Sequence, residues 1–144
     1  MTDPEHYRKL ERLYAAAPIT RWYGSTIAIS DGHADVRIPV RPEFHHAAKG
    51  VHGSVYFRAL DDAAFFAASS RVTEVFVLTV SFTVHFARPI ADGEMHAKGR
   101  LLHGSGRLFL AEAELLDGGG GLLARGSGIF TRSSIPLDSA LGYA

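Results

Sequence analysis

The chain has 144 residues, a length that suits one domain with one hydrophobic core. It carries 15 basic and 15 acidic residues, so its overall charge does not favour nucleic acid or an anionic membrane surface as a partner. The sequence contains no cysteine, which excludes disulfides, thiolate metal sites and a cysteine nucleophile.

The N-terminal residues 1–14 (MTDPEHYRKLERLY) are charged and lack the apolar stretch of a signal peptide. No apolar run in the sequence approaches the roughly 20 residues that a membrane-spanning helix needs. We therefore expect a cytoplasmic protein that does not bind the membrane.

The first predicted element is a helix over about 4–17. Asp3-Pro4 is a favourable helix start, and Tyr7, Leu10, Leu13 and Tyr14 follow at helical spacing. Pro18 is predicted to end this helix.

Two strands are predicted next, around 24–30 and 34–40, with the turn dipeptide Asp31-Gly32 between them. Residues 41–52 then read as a histidine-rich loop.

Residues 53–69 (GSVYFRALDDAAFFAAS) form the second predicted helix. Its charged residues are Arg58, Asp61 and Asp62, and apolar residues occupy nearly the whole circumference. A helix of this kind is enclosed by other structure.

The remainder is predicted to be β-structure. Residues 75–88 alternate, with one unbroken apolar row running from Phe76 to Phe86 and the polar residues on the other face. Three further strands, near 94–103, 107–116 and 122–131, are joined by short glycine-rich turns typical of antiparallel hairpins.

The element order predicts an α+β fold in which a curved antiparallel sheet wraps around one central helix. We assign residues 1–144 to a single domain, with the N-terminal helix at about 4–17, the core at about 20–132 and a C-terminal tail at 133–144. The pattern is lost beyond Arg132, so no regular structure is expected in the tail.

The start of the second helix carries a recognisable motif. Residues 50–54 (GVHGS) and the pair Leu60-Asp61 resemble the signature of the phenylacetate-degradation, or PaaI-like, thioesterases, which are acyl-CoA thioesterases of the hotdog fold. That signature has a His-Gly pair opening the central helix and an Asp nine residues after the His, as His52 and Asp61 are spaced.

Other parts of the chain extend the resemblance over roughly residues 20–131. They are the strand end at 86–89 (FARP), the Gly93 turn, the Gly106-Arg107 pair and the final strand at 123–130 (LARGSGIF).

The resemblance implies roles for individual residues. The backbone N–H of Gly53 would polarise the thioester carbonyl, and Asp61 would act as nucleophile or general base. Thr79 stands where the family often has Ser or Thr near the carboxylate, although strand alternation points it away from the apolar row. His46 stands where the family usually has an Asn that orients water or substrate, and His52 opens the helix.

Three residues are predicted to contact substrate. Ser54 replaces the family's usual second glycine in the first helical turn, and Phe44 and Tyr56 are candidates for lining the acyl pocket. No metal is expected, because the histidines of the loop lack the spacing of a zinc site, and no cofactor is expected either.

Helix geometry bears on the quaternary structure. Gly53 and Asp61 are eight residues apart, which at ~1.5 Å per residue is roughly 12 Å along the axis. One carbonyl cannot contact both groups of the same chain. We therefore expect a homodimer whose sites combine Gly53 of one subunit with Asp61 of the other, and association into a dimer of dimers stays open.

Several alternatives stay open at this point. Asp61 and Asp62 could form a solvated stripe that pairs with Arg58, with Asp62 the better candidate for such a partner. His52 could hydrogen-bond locally at the helix start rather than act through its ring. The function could also be that of an enoyl- or hydroxyacyl-thioester hydratase or dehydratase, or of a non-catalytic acyl-CoA-binding module.

Overall fold

The computed structural model describes residues 2–144, except for the side chain of Ser105. Within these residues there are three helices: α1 (Pro4–Ala16), α2 (Pro18–Tyr23) and α3 (Gly53–Ser69). The six strands are β1 (Thr26–Ser30), β2 (His33–Pro39), β3 (Val75–Phe86), β4 (Glu94–Ser105), β5 (Leu108–Leu116) and β6 (Leu122–Pro136). Short 3₁₀ turns occur at Pro42–Phe44 and Ser139–Leu141.

Helix α1 confirms the predicted N-terminal helix. The Asp3 side chain accepts a hydrogen bond from the His6 N–H, and Pro4 occupies the first helical position. Pro18 ends α1 as predicted, but it also begins α2, a short helix that the sequence pattern did not indicate. Proline is well suited to a first helical position because no hydrogen bond is lost there.

The six strands form one antiparallel sheet in the order β1-β2-β4-β5-β6-β3. Helix α3 packs against one face of this curved sheet, and eleven of its seventeen residues are buried. A Cβ on Gly99 of β4 would lie 2.2 Å from the Ala63 carbonyl oxygen, so only glycine permits this close approach of helix and sheet. The predicted α+β hotdog fold, with its enclosed helix, is confirmed.

The prediction that β3 has one unbroken apolar face is wrong. Thr79 pairs with Phe130 of β6 while Ser81 pairs with Ile129, so Val80 is an extra residue that forms a β-bulge. A bulge reverses which residues face the core. Leu78 is consequently 43% exposed and Val80 59% exposed.

The C-terminal region also differs from the prediction. Strand β6 continues to Pro136, and the segment after it ends in a 3₁₀ turn in which Asp138 accepts a hydrogen bond from the Ala140 N–H. This turn lies beside α1, since a Cβ on Gly142 would be 2.9 Å from the Cβ of Ala16. Tertiary contacts, rather than a periodic pattern, order this part of the chain.

Candidate active site

Asp61 lies in the third turn of α3, where its side chain is partly buried and faces Thr79 of β3. The Thr79 hydroxyl donates a hydrogen bond to Asp61 Oδ1 over 3.0 Å. Thr79 precedes the bulge, whereas Phe82 and Val84 follow it. The extra residue shifts the alternation of the strand, so all three side chains face the helix. The structure thus brings together two of the predicted site residues, Asp61 and Thr79.

The electrostatic environment of Asp61 is unusual for an aspartate. Burial is the main cause that raises its pKa, from 3.8 to about 6, and the nearby charge of Asp62 raises it further. The Thr79 hydrogen bond and the Arg58 charge oppose this rise. A carboxylate with a pKa near 6 is ionised at neutral pH, yet it is more basic than an exposed aspartate and can accept a proton.

Asp62, the neighbour of Asp61, belongs to a largely buried polar cluster. Arg58 Nε donates to Asp62 Oδ2 over 2.5 Å, and the Tyr14 hydroxyl donates to the same oxygen over 2.8 Å. Arg58 also donates to Thr20 Oγ1 over 3.2 Å. Burial raises the pKa of Asp62, and the Arg58 guanidinium and the Tyr14 hydroxyl counteract that rise. The predicted pairing of Arg58 with Asp62 is confirmed.

The N-terminus of α3 presents a free backbone donor. His52 is the N-cap, and its Nδ1 accepts the Ser54 N–H over 3.0 Å while its carbonyl accepts the Val55 N–H. Within residues 2–144, no acceptor pairs with the Gly53 N–H. The partial positive charge of the helix N-terminus therefore reinforces a donor that is available to a ligand.

The rings of two further residues lie close to this helix start. Phe86, at the end of β3, packs against Gly53 so tightly that a Cβ there would lie 3.2 Å from the ring. Tyr56 is buried, with its ring centroid 5.4 Å from that of Phe86, and its hydroxyl donates to the Arg88 carbonyl over 2.8 Å. Both line a pocket of about 320 Å³ beside the helix start.

The His46 loop lies before the helix. The backbone N–H of His46 donates to the Gly50 carbonyl, and its Nδ1 accepts the Ala48 N–H over 3.0 Å. His46 is exposed, whereas His45 is partly buried and contacts the Ala91 carbonyl through Nε2. The His46 ring is therefore held near Gly50 by local bonds and does not share a hydrogen bond with Asp61.

Phe44 is 3% exposed in the single chain, so little of its surface is available to contact a ligand. It packs between Trp22 and Tyr23 of α2, with the Arg41 guanidinium 4.5 Å from its ring centroid. Its position in the structure is that of an anchor between α2 and the loop.

Asp61 lines a cavity of about 750 Å³ that sequence reasoning did not anticipate. The walls come from the end of α1, the start of α2, one side of α3, Phe76 of β3 and the C-terminal residues 135–142. The C-terminal wall had no signal in the sequence, because its residues follow no helix or strand period.

Comparison with known families and structures identifies the type of protein. The model of the thioesterase superfamily matches residues 49–124, more than half of the chain, and this range includes all of α3. The chain belongs to the thioesterase superfamily. Membership supports an enzyme that hydrolyses thioesters, and the resemblance read from the sequence is confirmed. A search of curated proteins finds no match.

Several solved structures share the fold. The Escherichia coli PaaI protein from the phenylacetic acid degradation operon is 18% identical, with a TM-score of 0.84 over 92% of this chain and 96% of that one. The conserved protein PA5202 from Pseudomonas aeruginosa is 27% identical, with a TM-score of 0.79 over 85% and 98%. A mutant of PaaI from Thermus thermophilus is 23% identical, with a TM-score of 0.74 over 81% and 100%.

Among residues 2–144, no group of three or more His, Asp or Glu side chains is placed to hold a metal ion. Every helix in the same range is too short or too polar to cross a membrane.

Proposed function

We propose that this thioesterase hydrolyses acyl-CoA thioesters to the free acid and CoA, with Asp61 as nucleophile or general base. The observation that carries the proposal is the position of Asp61, a partly buried carboxylate beside an apolar cavity, with a pKa near 6 and a hydrogen bond from Thr79. Removal of such a carboxylate eliminates the group that activates water.

Two routes are consistent with this arrangement. As general base, Asp61 takes a proton from water while the water oxygen attacks the thioester carbonyl, and the CoA thiolate leaves and is protonated. As nucleophile, Asp61 forms a mixed anhydride with the acyl group and releases CoA, and water then cleaves the anhydride. In both routes negative charge develops on the carbonyl oxygen.

The proposed donor to that oxygen is the Gly53 N–H, which is free and lies at the positive end of α3. On α3, however, Gly53 and Asp61 are separated by eight residues, or roughly 12 Å along the helix. A carbonyl held ~3 Å from one of these groups is out of reach of the other.

We therefore propose a homodimer in which the partner subunit's Gly53 faces Asp61. A two-fold axis between antiparallel α3 helices would create two identical sites. The exposed surface beside α3 supports this arrangement: β3 is an edge strand of twelve residues, Val80 and Phe86 on it are each 59% exposed, and Phe57 of α3 is 40% exposed. A long apolar edge of this kind is expected to pair with another chain.

The direct test is a panel of acyl-CoA substrates assayed for release of free thiol. A thioesterase releases one thiol for each substrate consumed, and the Asp61→Ala protein does not. A hydratase would change the absorbance of an enoyl-CoA without releasing thiol, and a binding module would bind acyl-CoA without turnover. Either outcome would replace the proposed function.

A further inference from the structure

The cavity beside Asp61 has a specific chemical character. Six of its lining residues are polar, and four of these (Tyr14, Thr20, Arg58 and Asp62) are hydrogen-bonded to one another. Their hydrogen-bonding capacity is largely used within the protein. The other walls are mainly apolar and include Leu13, Ile19, Phe65, Phe76, Ile135 and Leu141. A hydrocarbon group matches this lining better than a charged or polyhydroxylated one.

The size of the cavity also points to a small-molecule group. Its volume of about 750 Å³ lies within the range of roughly 300–1,000 Å³ that small-molecule sites occupy. Asp61 belongs to the lining, so an occupant of the cavity is adjacent to the carboxylate proposed to act on the thioester.

The C-terminal wall is held in place from several directions. The Leu137 N–H donates to the Glu74 carbonyl, which fixes the segment where it leaves β6. Tyr143, at the other end, bonds through its hydroxyl to Nδ1 of the buried His6 over 2.7 Å. Gly142 between them has a φ of +85°, which favours glycine and turns the chain against α1. The segment is therefore a fixed boundary of the cavity.

We infer that the C-terminal residues 135–142 set the size of the largest acyl group, an uncharged aliphatic or aromatic one, that this cavity accepts. The inference rests on the proposed function, because it assigns the acyl side of the bond that Asp61 acts on. Ala140 and Leu141 lie in the 3₁₀ turn of this wall and line the cavity. Substitutions at these two residues should change size selection in opposite directions, since one side chain is small and the other large.

Two variants test the inference. Ala140→Leu adds side-chain volume to the wall, and Leu141→Ala removes it; both residues are exposed enough to change without loss of core packing. Each buried methylene is worth roughly four- to ten-fold in kcat/KM. Over straight-chain acyl-CoAs and phenylacetyl-CoA, we expect Ala140→Leu to lower kcat/KM at least ten-fold for the largest accepted acyl groups and to leave acetyl-CoA within about two-fold.

The second variant should act in the opposite direction. Leu141→Ala should move the optimum to longer chains by one or more methylenes. The matched control is Ala15→Leu, the same substitution on an exposed residue of α1 that does not line the cavity, and it should leave the profile unchanged. Identical chain-length profiles for Ala140→Leu, Leu141→Ala and the wild type would overturn the inference while leaving thioester hydrolysis intact.

A binding measurement separates the inference from the proposed function. Calorimetric titration of octanoate and phenylacetate into the Asp61→Asn protein measures occupancy of the cavity without turnover. We expect binding that Ala140→Leu weakens at least ten-fold in the same background. If the acids bind in this way but no acyl-CoA is hydrolysed, the cavity assignment stands and the hydrolase proposal fails. If neither acid binds, the cavity assignment fails.

Discussion

The hydroxyl of Thr79 donates a hydrogen bond to Oδ1 of Asp61, joining strand β3 to helix α3 over 3.0 Å. Strict alternation along β3 would place Thr79 on the opposite face from Phe82, but the bulge at Val80 places both on the helix side. This hydrogen bond stabilises the ionised form of a carboxylate whose pKa burial raises to about 6.

Asp61 and its neighbour Asp62 should respond differently to loss of charge. Asp61→Ala should lower kcat roughly 10²–10⁴-fold with little loss of stability, because it removes the group that activates water or attacks. Asp62→Ala should instead lower the free energy of unfolding by about 1–3 kcal/mol, because it removes the oxygen that accepts hydrogen bonds from Arg58 and Tyr14. Steady-state kinetics and urea denaturation of both variants measure the difference. Equal losses of kcat in the two folded variants would contradict the assignment.

The activity should depend on pH through Asp61. Because Asp61 must be ionised to act as base or nucleophile, kcat/KM should rise with pH through about 6 and then level off. Thr79→Val removes a hydrogen bond that lowers the pKa of Asp61, so the acid limb should move to higher pH. Thr83→Val is the matched control, since Thr83 lies beyond the bulge on the exposed face of the same strand. An acid limb that is the same in both variants would show that Thr79 does not influence the titrating group.

The ionised Asp61 side chain should also lower the free energy of unfolding at neutral pH. In the unfolded chain its carboxyl ionises near 3.8, but in the folded protein it ionises only near 6, so the folded state is penalised at any pH above the unfolded value. The penalty is complete above about 6, shrinks between 6 and 3.8, and is lost below that. Asp61→Asn should therefore raise the free energy of unfolding by roughly 1–3 kcal/mol at pH 7.5.

The same measurement at pH 4 is the control for this prediction. The gain from Asp61→Asn should be much smaller there, because most of the penalty has already been removed by protonation of the folded protein. Denaturant titrations at the two pH values give the comparison. A gain of the same size at both would point to packing rather than charge as its cause.

The part of the fold that the sequence predicted best is α3. Its predicted range of 53–69 agrees with the structure because the apolar residues are nearly continuous and the motif at 50–54 marks the start. The strand pairs β4-β5 and β5-β6 were predicted almost as well, since short glycine-rich turns separate clear strand patterns. These elements are determined by local signals.

The sequence predicted less well where tertiary contacts decide the structure. A bulge leaves no mark in the alternation of β3, so the side of the strand on which Thr79 lies could not be known. The C-terminal turn depends on Tyr143 and Gly142 contacting α1 more than 120 residues earlier in the chain, and no local pattern encodes that.

The pairing of Arg58 with Asp62, in contrast, was predictable because i,i+4 neighbours meet on any helix.

In the proposed dimer, each active site combines Asp61 of one subunit with Gly53 of the other. Gly53 occupies the first position of α3, where proline is tolerated, so Gly53→Pro removes the proposed donor N–H without breaking the helix. Gly53→Ala is the matched control, because it adds a Cβ near Phe86 as proline does but keeps the N–H. Gly53→Pro should lower kcat roughly 10²–10³-fold, and Gly53→Ala should lower it far less.

The most direct test co-expresses the Gly53→Pro and Asp61→Asn chains with different tags and purifies the mixed dimer through both tags. In that dimer one site receives both substitutions, and the other receives Asp61 from the first chain and Gly53 from the second, so it is intact. We predict that the mixed dimer has about half the wild-type kcat per dimer, although each parent dimer is nearly inactive. A mixed dimer as inactive as its parents would contradict a site shared between subunits.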